Sequence, residues 1–283
     1  MTRREMVAGT AALAAAAQTA QAQGGVKKYA RFRAGNRNAY GVVEGDSIAE
    51  FDGSLFGPRK ANGKTHKLSA VQLLYPVEPT KVLAMARNYR SHIQSSKSAA
   101  PEPKRPEIFY KPLTCLQHPG HPIILPADST DVHFECELVV VMGKRTHNVS
   151  KADAPSYVFG VTAGNDVSER QWQGGPDKDI QWWRAKGSDT FGPLGPYVVT
   201  GLDYSKLTIQ TRLNGKVMQK DSTSMLIFDV PSMVSFVSKY VTLEPGDLIY
   251  TGTPGKTSPM KNGDVCEVEL EGVGILKNPI KSA

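Results

Sequence analysis

The sequence predicts an α+β protein that is mostly β. Many segments alternate apolar and polar residues or form short β-branched runs, which is typical of strands. Gly and Asn residues punctuate these segments, and only a few short stretches have helical spacing. The chain has 283 residues, enough for one large domain or for two domains of unequal size.

Residues 26–75 are predicted to form a small N-terminal β domain. The segments VKKYARFRAG, AYGVVEG and SIAEFDG alternate in polarity, and each ends at Gly. The stretch KLSAVQLLYPVEPTK is predicted to begin as a short helix and to end in a Pro-containing linker. From Lys81 onward the residue pattern changes, which indicates a second domain.

Most elements after Lys81 are predicted strands. VLAMARNY is an apolar strand that runs into polar residues, and His92 is predicted to lie at its end. The Pro-rich stretch 93–106 that follows is predicted to be a mobile loop. The Asn-Gly in LTIQTRLNGKVMQ predicts a hairpin turn. Residues 230–241 have helical spacing after Asp229, a predicted N-cap, and ADAPSYVFG begins with a short helix. The other predicted strands are IFYKP, HFECELVVVMG, SYVFGVTAGND, YVVTG, DLIYTGTPG and DVCEVELEGVGILKNPI.

Residues 1–22 are predicted to be an export signal and not part of the fold. Arg3 and Arg4 precede an Ala-rich apolar run, and Ala20-Gln21-Ala22 fits an A-x-A cleavage site. The adjacent arginines are typical of the twin-arginine route, and the apolar run is too short to span a membrane securely. The sequence therefore predicts a periplasmic protein without a membrane span after cleavage. The alternative is an Ala-rich helical tail.

The composition favours a small anionic ligand. The formal net charge is +7, yet the basic residues are spread along the chain without a dense Lys/Arg block. A nucleic-acid partner is therefore not expected. The three cysteines, Cys115, Cys136 and Cys266, are too few and odd in number for a disulfide framework.

Two acids inside the apolar segment HFECELVVVMG are the first functional signal. On a strand Glu135 and Glu137 share one face, roughly 6–7 Å apart. Two ionised acids that close repel each other, and burial makes each more costly. A divalent cation with a preference for oxygen ligands would compensate them. The alternative is an edge strand with a solvated acidic rim.

Eight motifs follow one another in order: ARNYRSH, FYKP, HFECEL, GNDVSERQWQ, KGSDTFGPLGP, LNGK, LEPGDLIYTGTPG and GDVCEVELEGVGIL. This ordered set resembles the fumarylacetoacetate hydrolase family over residues 80–281. Residues 26–75 resemble the small N-terminal β domain that many members carry. The resemblance implies a mixed β-roll catalytic domain, a homodimer and a metal site at the mouth of the roll.

The resemblance also implies a set of site residues. The family's metal ligands, two glutamates and a later aspartate, correspond to Glu135, Glu137 and Asp166. The implied metal is Mg²⁺, with Mn²⁺ or Ca²⁺ as alternatives. The implied catalytic residues are His92 and Lys186. The implied substrate-binding residues are Arg87, Tyr89, Lys111, Arg170, Gln173 and Thr253, the first three with a structural role as an equal alternative.

His92 departs from the family pattern in its partner. In hydrolytic and decarboxylating members the motif His-x-x-Glu supplies a base dyad, whereas this chain reads His92-Ile93-Gln94-Ser95. Glu102 and Glu107 follow soon after and are candidates for the missing carboxylate.

The resulting prediction is a divalent-metal-dependent hydrolase that cleaves a C–C bond in an acylpyruvate or a related diketo or 2-oxo acid. Such substrates chelate a metal through two oxygens, and stabilising their enolates serves hydrolysis, decarboxylation and tautomerisation alike. A decarboxylase or isomerase of similar oxo-acids is one alternative. A non-catalytic periplasmic oxo-acid-binding protein is the other, because the dyad glutamate is missing.

Overall fold

The computed structural model describes residues 25–95 and 101–283. The predicted export signal, residues 1–22, lies outside these ranges, and the predicted loop 93–106 is described only in part. Within the described ranges, no helix is long and apolar enough to cross a membrane.

Strands dominate the described chain, so the prediction of a mostly β protein is confirmed. The strands up to the first acids are β1 (Lys27–Ala34), β2 (Arg37–Glu44), β3 (Ser47–Gly53), β4 (Arg59–Lys67), β5 (Gln72–Leu74), β6 (Val82–Ala86), β7 (Glu107–Lys111), β8 (Leu116–Gln117), β9 (Ile123–Leu125) and β10 (Val132–His133). The later strands are β11 (Cys136–Met142), β12 (Val158–Asn165), β13 (Ser168–Glu169), β14 (Gly192–Thr200), β15 (Thr208–Leu213), β16 (Lys216–Ser222), β17 (Leu248–Tyr250), β18 (Val265–Leu270) and β19 (Gly274–Ser282).

The helices are short. They are α1 (Arg90–Ser95), α2 (Arg170–Gly174), α3 (Trp183–Gly187) and α4 (Val230–Ser238), with 3₁₀ turns at Leu68–Ala70, Leu113–Cys115, Ala154–Tyr157 and Thr223–Met225. Asp229 caps α4 as predicted, since its carboxylate accepts the backbone N–H of Ser232 at 2.9 Å. The predicted hairpin turn joins β15 to β16, and both Asn214 and Gly215 have the positive φ that a type I′ turn requires.

One large sheet organises the molecule. It has 12 strands, with the main order β4-β3-β2-β1-β14-β12-β11-β17-β6-β7. Because β1 pairs antiparallel with β14, the N-terminal strands extend the same sheet as the later part of the chain. Strands β11 and β12 lie at its centre, and β7 forms one edge.

A second sheet packs over the centre of the first. Its five strands run in the order β16-β15-β18-β19-β9. The core between the two sheets includes Leu138, Val140, Ile209, Val234, Val268 and Leu276. The other face of β11 places Val139 and Val141 in a separate apolar cluster. Since both faces are buried, β11 is a continuous apolar run from Leu138 to Met142.

Three local predictions are corrected by the structure. HFECELVVVMG is not one strand, because β10 ends at His133 and β11 begins at Cys136. Between them, the N–H of Glu135 donates to the side-chain oxygen of Asn165 at 2.8 Å and leaves the strand ladder. KLSAVQLL forms a 3₁₀ turn and then β5 instead of a helix. His92 lies on α1 and not at the end of a strand, because its N–H turns back to the carbonyl of Tyr89.

Candidate active site

Three buried carboxylates meet where β11 begins and β12 ends. Glu135, Glu137 and Asp166 each offer an oxygen, and these oxygens lie within 4.8 Å of one another. The exposed fractions of the three residues are 4%, 0% and 1%, respectively. A solvated acidic rim therefore does not describe them.

Strand pairing brings the acids together. Cys136 pairs with Asn165, so Glu135 and Asp166 flank the same rung of the ladder. The backbone N–H of Asp166 donates to the carbonyl of Glu135 at 2.9 Å. Gly164 lies opposite Glu137, where an added Cβ would approach Val139 Cγ2 to 2.5 Å, so only glycine fits there.

Three cations surround the acids. Lys186 Nζ donates to Oε2 of Glu135 at 2.7 Å and to Oδ2 of Asp166 at 2.6 Å. Lys111 Nζ donates to Oδ1 of Asp166 at 2.6 Å and to the carbonyl of Lys186. Arg170 donates to Oε1 of Glu135 at 2.6 Å. The formal charges of the three acids and three cations cancel.

A buried cap positions Arg170 at the start of α2. The carboxylate of Glu169 accepts the N–H of Trp172 at 2.6 Å and the N–H of Asp131 at 2.9 Å. Arg170 and Gln173 are three residues apart on this helix and therefore lie on one face. Arg170 donates to Oε1 of Gln173 at 2.6 Å, which fixes both side chains beside Glu135.

Packing between α2 and α3 positions Lys186. Arg184 donates to Asp179 at 2.8 Å, and its guanidinium lies 4.8 Å from the centre of the Trp172 ring. The Nζ of Lys186 lies 5.3 Å from the centre of the Phe109 ring. Lys186 is 2% exposed, so its ammonium is committed to the acids and not to solvent.

The two glutamates differ in electrostatic environment. Burial raises the pKa of Glu135, but Lys186 and Arg170 outweigh it and bring this pKa below its ordinary value. Burial raises the pKa of Glu137 well above its ordinary value, and the negative charges of Asp166 and Glu135 add to the effect.

One oxygen of Glu137 indicates a metal-binding site. Its Oε2 accepts the backbone N–H of Gly252 at 2.7 Å, whereas its buried Oε1 has no hydrogen-bond partner among the described residues. An orphaned buried oxygen beside two further carboxylates is the donor set that Mg²⁺, Mn²⁺ and Ca²⁺ prefer. The residues therefore fit a divalent cation.

The segment from Gly252 to Thr257, here called the 252–257 loop, links the acids to the other site residues. Nδ1 of His92 lies 2.7 Å from the carbonyl of Gly255, and Nε2 of His92 lies 4.0 Å from Oε1 of Glu135. The Thr257 hydroxyl accepts from Arg170 at 2.9 Å and lies 2.8 Å from Nδ1 of His133. One loop thus contacts the expected base and the arginine beside Glu135.

The two candidate substitutes for the dyad glutamate have other partners. Glu102 forms a two-pronged ion pair with Arg90 at 2.8 and 2.9 Å. Glu107 lies 3.4 Å from the guanidinium of Arg87. Neither pairs with His92 in the described part of the chain.

The six expected substrate-binding residues fall into two groups. Arg170, Gln173 and Thr253 border the acids or the 252–257 loop, and Thr253 accepts from the buried Gln219 at 3.0 Å. In the second group, Lys111 is 2% exposed and donates to Asp166, and Tyr89 is 0% exposed. Arg87 contacts Glu107 and the carbonyl of Pro101, outside the acid cluster.

Sequence reasoning missed three residues that shape the site, namely Gly255, Thr257 and Gln219. The motif TGTPG predicts Thr253 as a site residue, but the backbone carbonyl of Gly255 leaves no residue-type signal. Gln219 lies in β16, shortly after the Asn-Gly turn. Only the structure shows that its side chain is buried.

Two family models match the chain. The model described as "Fumarylacetoacetate (FAA) hydrolase C-terminal" matches residues 81–281. The model described as "Rv2993c-like, N-terminal" matches residues 27–76.

Named relatives include enzymes of three kinds. A solved structure of 5-carboxymethyl-2-hydroxymuconate delta-isomerase from Mycobacterium smegmatis has a TM-score of 0.83 and 40% identity, covering 90% of this chain and 100% of that one. Oxaloacetate tautomerase FAHD2A, mitochondrial, from Bos taurus is 40% identical over 75% of this chain and 70% of its own length. Maleylpyruvate hydrolase from Sphingobium sp. SYK-6, solved with manganese(II) and pyruvate, has a TM-score of 0.73 and 27% identity, covering 90% of this chain and 99% of that one.

Proposed function

This chain is an enzyme of the fumarylacetoacetate hydrolase family, and we propose that it is a divalent-metal-dependent isomerase or tautomerase of small 2-oxo acids. The observation that carries the proposal is the environment of His92. Its Nδ1 contacts a backbone carbonyl, and among the described residues the one carboxylate within 4.0 Å of the ring is the expected metal ligand Glu135. A tautomerisation moves one proton between two atoms of the substrate. C–C hydrolysis must also activate water and protonate a carbon leaving group, which demands more of the base.

Sequence identity to named relatives also supports an isomerase or tautomerase. The delta-isomerase and the oxaloacetate tautomerase are each 40% identical to this chain, whereas the maleylpyruvate hydrolase is 27% identical. Hydrolysis of an acylpyruvate remains the second candidate, because the three-carboxylate site favours every reaction of an enolisable 2-oxo acid.

Charge favours a substrate with two negative charges. Glu135, Glu137 and Asp166 carry a formal charge of −3, which Lys186, Lys111 and Arg170 offset. A bound divalent cation would leave this cluster two charges positive. An oxo-dicarboxylate or a doubly ionised 2-oxo acid would restore neutrality, and a buried site strongly disfavours unbalanced charge.

The chain's own residues have distinct tasks in this proposal. Glu135, Glu137 and Asp166 would hold the cation, whose chemical contribution is Lewis-acid polarisation of a substrate carbonyl. Arg170 and Gln173 lie on one helix face beside Glu135, where they would orient a substrate carboxylate. His92 would take a proton from the substrate carbon and return it to a second atom.

Parallel rate measurements test the proposal. The protein with Mg²⁺ or Mn²⁺ is expected to interconvert the keto and enol forms of oxaloacetate, or to isomerise a 2-hydroxydienoate, faster than it releases pyruvate from an acylpyruvate. His92→Ala should lower this rate about 10²–10⁴-fold while leaving Mg²⁺ affinity intact. Faster pyruvate release would establish the hydrolase instead. Tight binding of all substrates without turnover would support an oxo-acid-binding protein.

We also propose that the protein is periplasmic and homodimeric. Export rests on Arg3, Arg4 and the A-x-A site of the N-terminal segment. A homodimer rests on the family resemblance and fits an exposed apolar group beside the edge strand β7, formed by Tyr110, Leu113, Ile180 and Trp183.

A further inference from the structure

Two side chains of α1 share one backbone carbonyl. Nδ1 of His92 lies 2.7 Å from the oxygen of Gly255. Oγ of Ser95 lies 2.8 Å from the same oxygen and 2.9 Å from the carbonyl of His92, so its single proton is shared between two acceptors. Ser95 occupies the position of the missing dyad glutamate. The residue that replaces the glutamate thus meets His92 at a common acceptor.

The carbonyl dictates the tautomer of His92. A carbonyl oxygen only accepts hydrogen bonds, so at 2.7 Å the Nδ1 atom must be the donor. A neutral imidazole carries one N–H, which leaves the lone pair on Nε2. Nε2 is the ring nitrogen on the side of the acids, 4.0 Å from Oε1 of Glu135.

We infer that the Gly255 carbonyl holds His92 as the Nδ1–H tautomer with Nε2 as its basic atom, and that Ser95 is a positioning residue for this arrangement. The inference rests on the proposed function in one respect, namely that His92 is the base. It adds which atom takes the proton and what replaces the carboxylate of the dyad.

The carbonyl is itself held in place. Gln219 donates to the carbonyl of Pro254 at 2.5 Å and to Oγ1 of Thr253 at 3.0 Å, just before Gly255. The N–H of Gly255 donates to Oγ of Ser91 at 3.1 Å, and Ser91 donates to Asp221 at 2.9 Å. The acceptor is therefore fixed from both sides, as an orienting group must be.

A neutral acceptor has a chemical consequence. A carboxylate would both orient the ring and stabilise the imidazolium that forms when Nε2 takes a proton, whereas a carbonyl mainly orients it. A base whose protonated form is less stabilised returns its proton readily. In one turnover Nε2 takes a proton from a substrate carbon and gives a proton back to the substrate, so no proton is gained or lost.

Nitrogen NMR of the imidazole tests the tautomer directly. In the metal-free protein labelled with ¹⁵N-histidine, His92→Gln identifies the signals of His92. The expected spectrum has a protonated Nδ1 and an unprotonated Nε2 at a pH where the ring is neutral. An Nε2–H tautomer would overturn the inference, whether or not the protein turns over any oxo-acid. Absence of turnover with an Nδ1–H tautomer would instead refute the proposed function alone.

Matched serine variants test the role of Ser95. Ser95→Ala removes a contact to the Gly255 carbonyl, and we expect some Nε2–H tautomer and a kcat lower by about two- to tenfold with KM unchanged, the range of one neutral hydrogen bond. Ser95→Thr keeps the hydroxyl and should restore both. Arg90→Ala removes a contact of the same helix to Glu102, away from Gly255, and should leave the tautomer unchanged.

Two outcomes would refute the positioning role. If Ser95→Ala and Arg90→Ala give the same spectrum and the same kcat, Ser95 only docks the helix. If Ser95→Ala raises KM and leaves kcat unchanged, Ser95 acts on substrate binding and not on the base.

Discussion

Replacing Glu137 by glutamine should stabilise the metal-free protein and abolish its response to Mg²⁺. Oε2 of Glu137 accepts the N–H of Gly252, and a glutamine oxygen can do the same. The buried Oε1, without a partner in the described structure, would become an NH₂ group within a cluster whose carboxylate oxygens lie within 4.8 Å of one another. At a pH where Glu137 is ionised, the substitution therefore replaces a repelling charge by a hydrogen-bond donor, and at any pH it removes a metal ligand.

The expected magnitudes follow from these contacts. An unpartnered buried polar group costs about 1–3 kcal/mol, and more when it is charged. For a protein of this size, each 1 kcal/mol shifts Tm by about 2–4 °C, so metal-free Glu137→Gln should melt about 2–12 °C above the wild type. Mg²⁺ at a hundredfold excess over Kd should stabilise the wild type by about 2.7 kcal/mol and the variant by nothing.

The direction of the pKa shift of Glu137 also predicts how stability depends on pH. Because the folded-state pKa of Glu137 is raised, the folded protein retains a proton that the unfolded chain loses above the ordinary value of 4.5. In the metal-free protein, the contribution of Glu137 to the free energy of unfolding is fully present below pH 4.5 and is lost as the pH rises through the folded-state pKa. Glu137→Gln should remove this component, so its advantage over the wild type should grow from pH 5 to pH 8.

Thermal melts with and without Mg²⁺ are the assay, and Glu50→Gln is the control. Glu50 is also a buried carboxylate, but Arg37, Asn62 and His66 each contact it at 2.8 Å. The same substitution there should destabilise the protein and leave the Mg²⁺ response intact. A Glu137→Gln variant that melts lower without metal, or still gains stability from Mg²⁺, would refute the assignment of Glu137 as an unsatisfied metal ligand.

Three further predictions concern other parts of the molecule. The N–H of Tyr75 donates to Nδ1 of His118 at 2.9 Å, and burial, together with His121, lowers the pKa of His118 to about 4. The contribution of His118 to stability is present above its ordinary pKa of 6.5 and is lost as the pH falls towards 4. His118→Phe should therefore make the urea midpoint of unfolding less dependent on pH between 6.5 and 4. An unchanged pH dependence would contradict this role of His118. Replacing Arg3-Arg4 by Lys-Lys should retain the protein in the cytoplasm, as fractionation and immunoblotting will reveal; undiminished export would indicate another route. Ile180→Arg with Trp183→Arg should convert a dimer to monomers in light scattering, whereas Tyr240→Arg, at a 73% exposed residue elsewhere, should not; a persisting dimer would place the interface elsewhere.

Local chemistry made part of the fold predictable. The Asn-Gly turn between β15 and β16 and the Asp229 cap of α4 depend on residues next to each other in sequence. The fold class was predictable because alternation and β-branched runs survive in most strands. The division into units at 26–75 and 80–281 stays a prediction, and β1 pairs with β14 across it.

Long-range contacts explain what the sequence could not reveal. Lys111 is 55 residues from Asp166, and nothing around it distinguishes a buried partner from a substrate contact. The break at Glu135 depends on the side chain of Asn165, 30 residues away. The acceptor of His92 is a backbone carbonyl 163 residues away, which no residue pattern encodes. Each of these features appears only when the sheet pairing is known.

The three cations around the acids indicate an order of events. Lys186, Lys111 and Arg170 already offset Glu135 and Asp166 without a metal, and the raised pKa of Glu137 lets that residue keep a proton. The fold therefore does not depend on the metal for charge compensation, unlike a structural zinc domain. With Glu137 protonated, the cluster carries one excess positive charge, and a divalent cation that displaced this proton would raise the excess to two. The larger excess favours an anionic substrate more strongly after the metal has bound, so by linkage the metal and the oxo-acid should each strengthen the binding of the other.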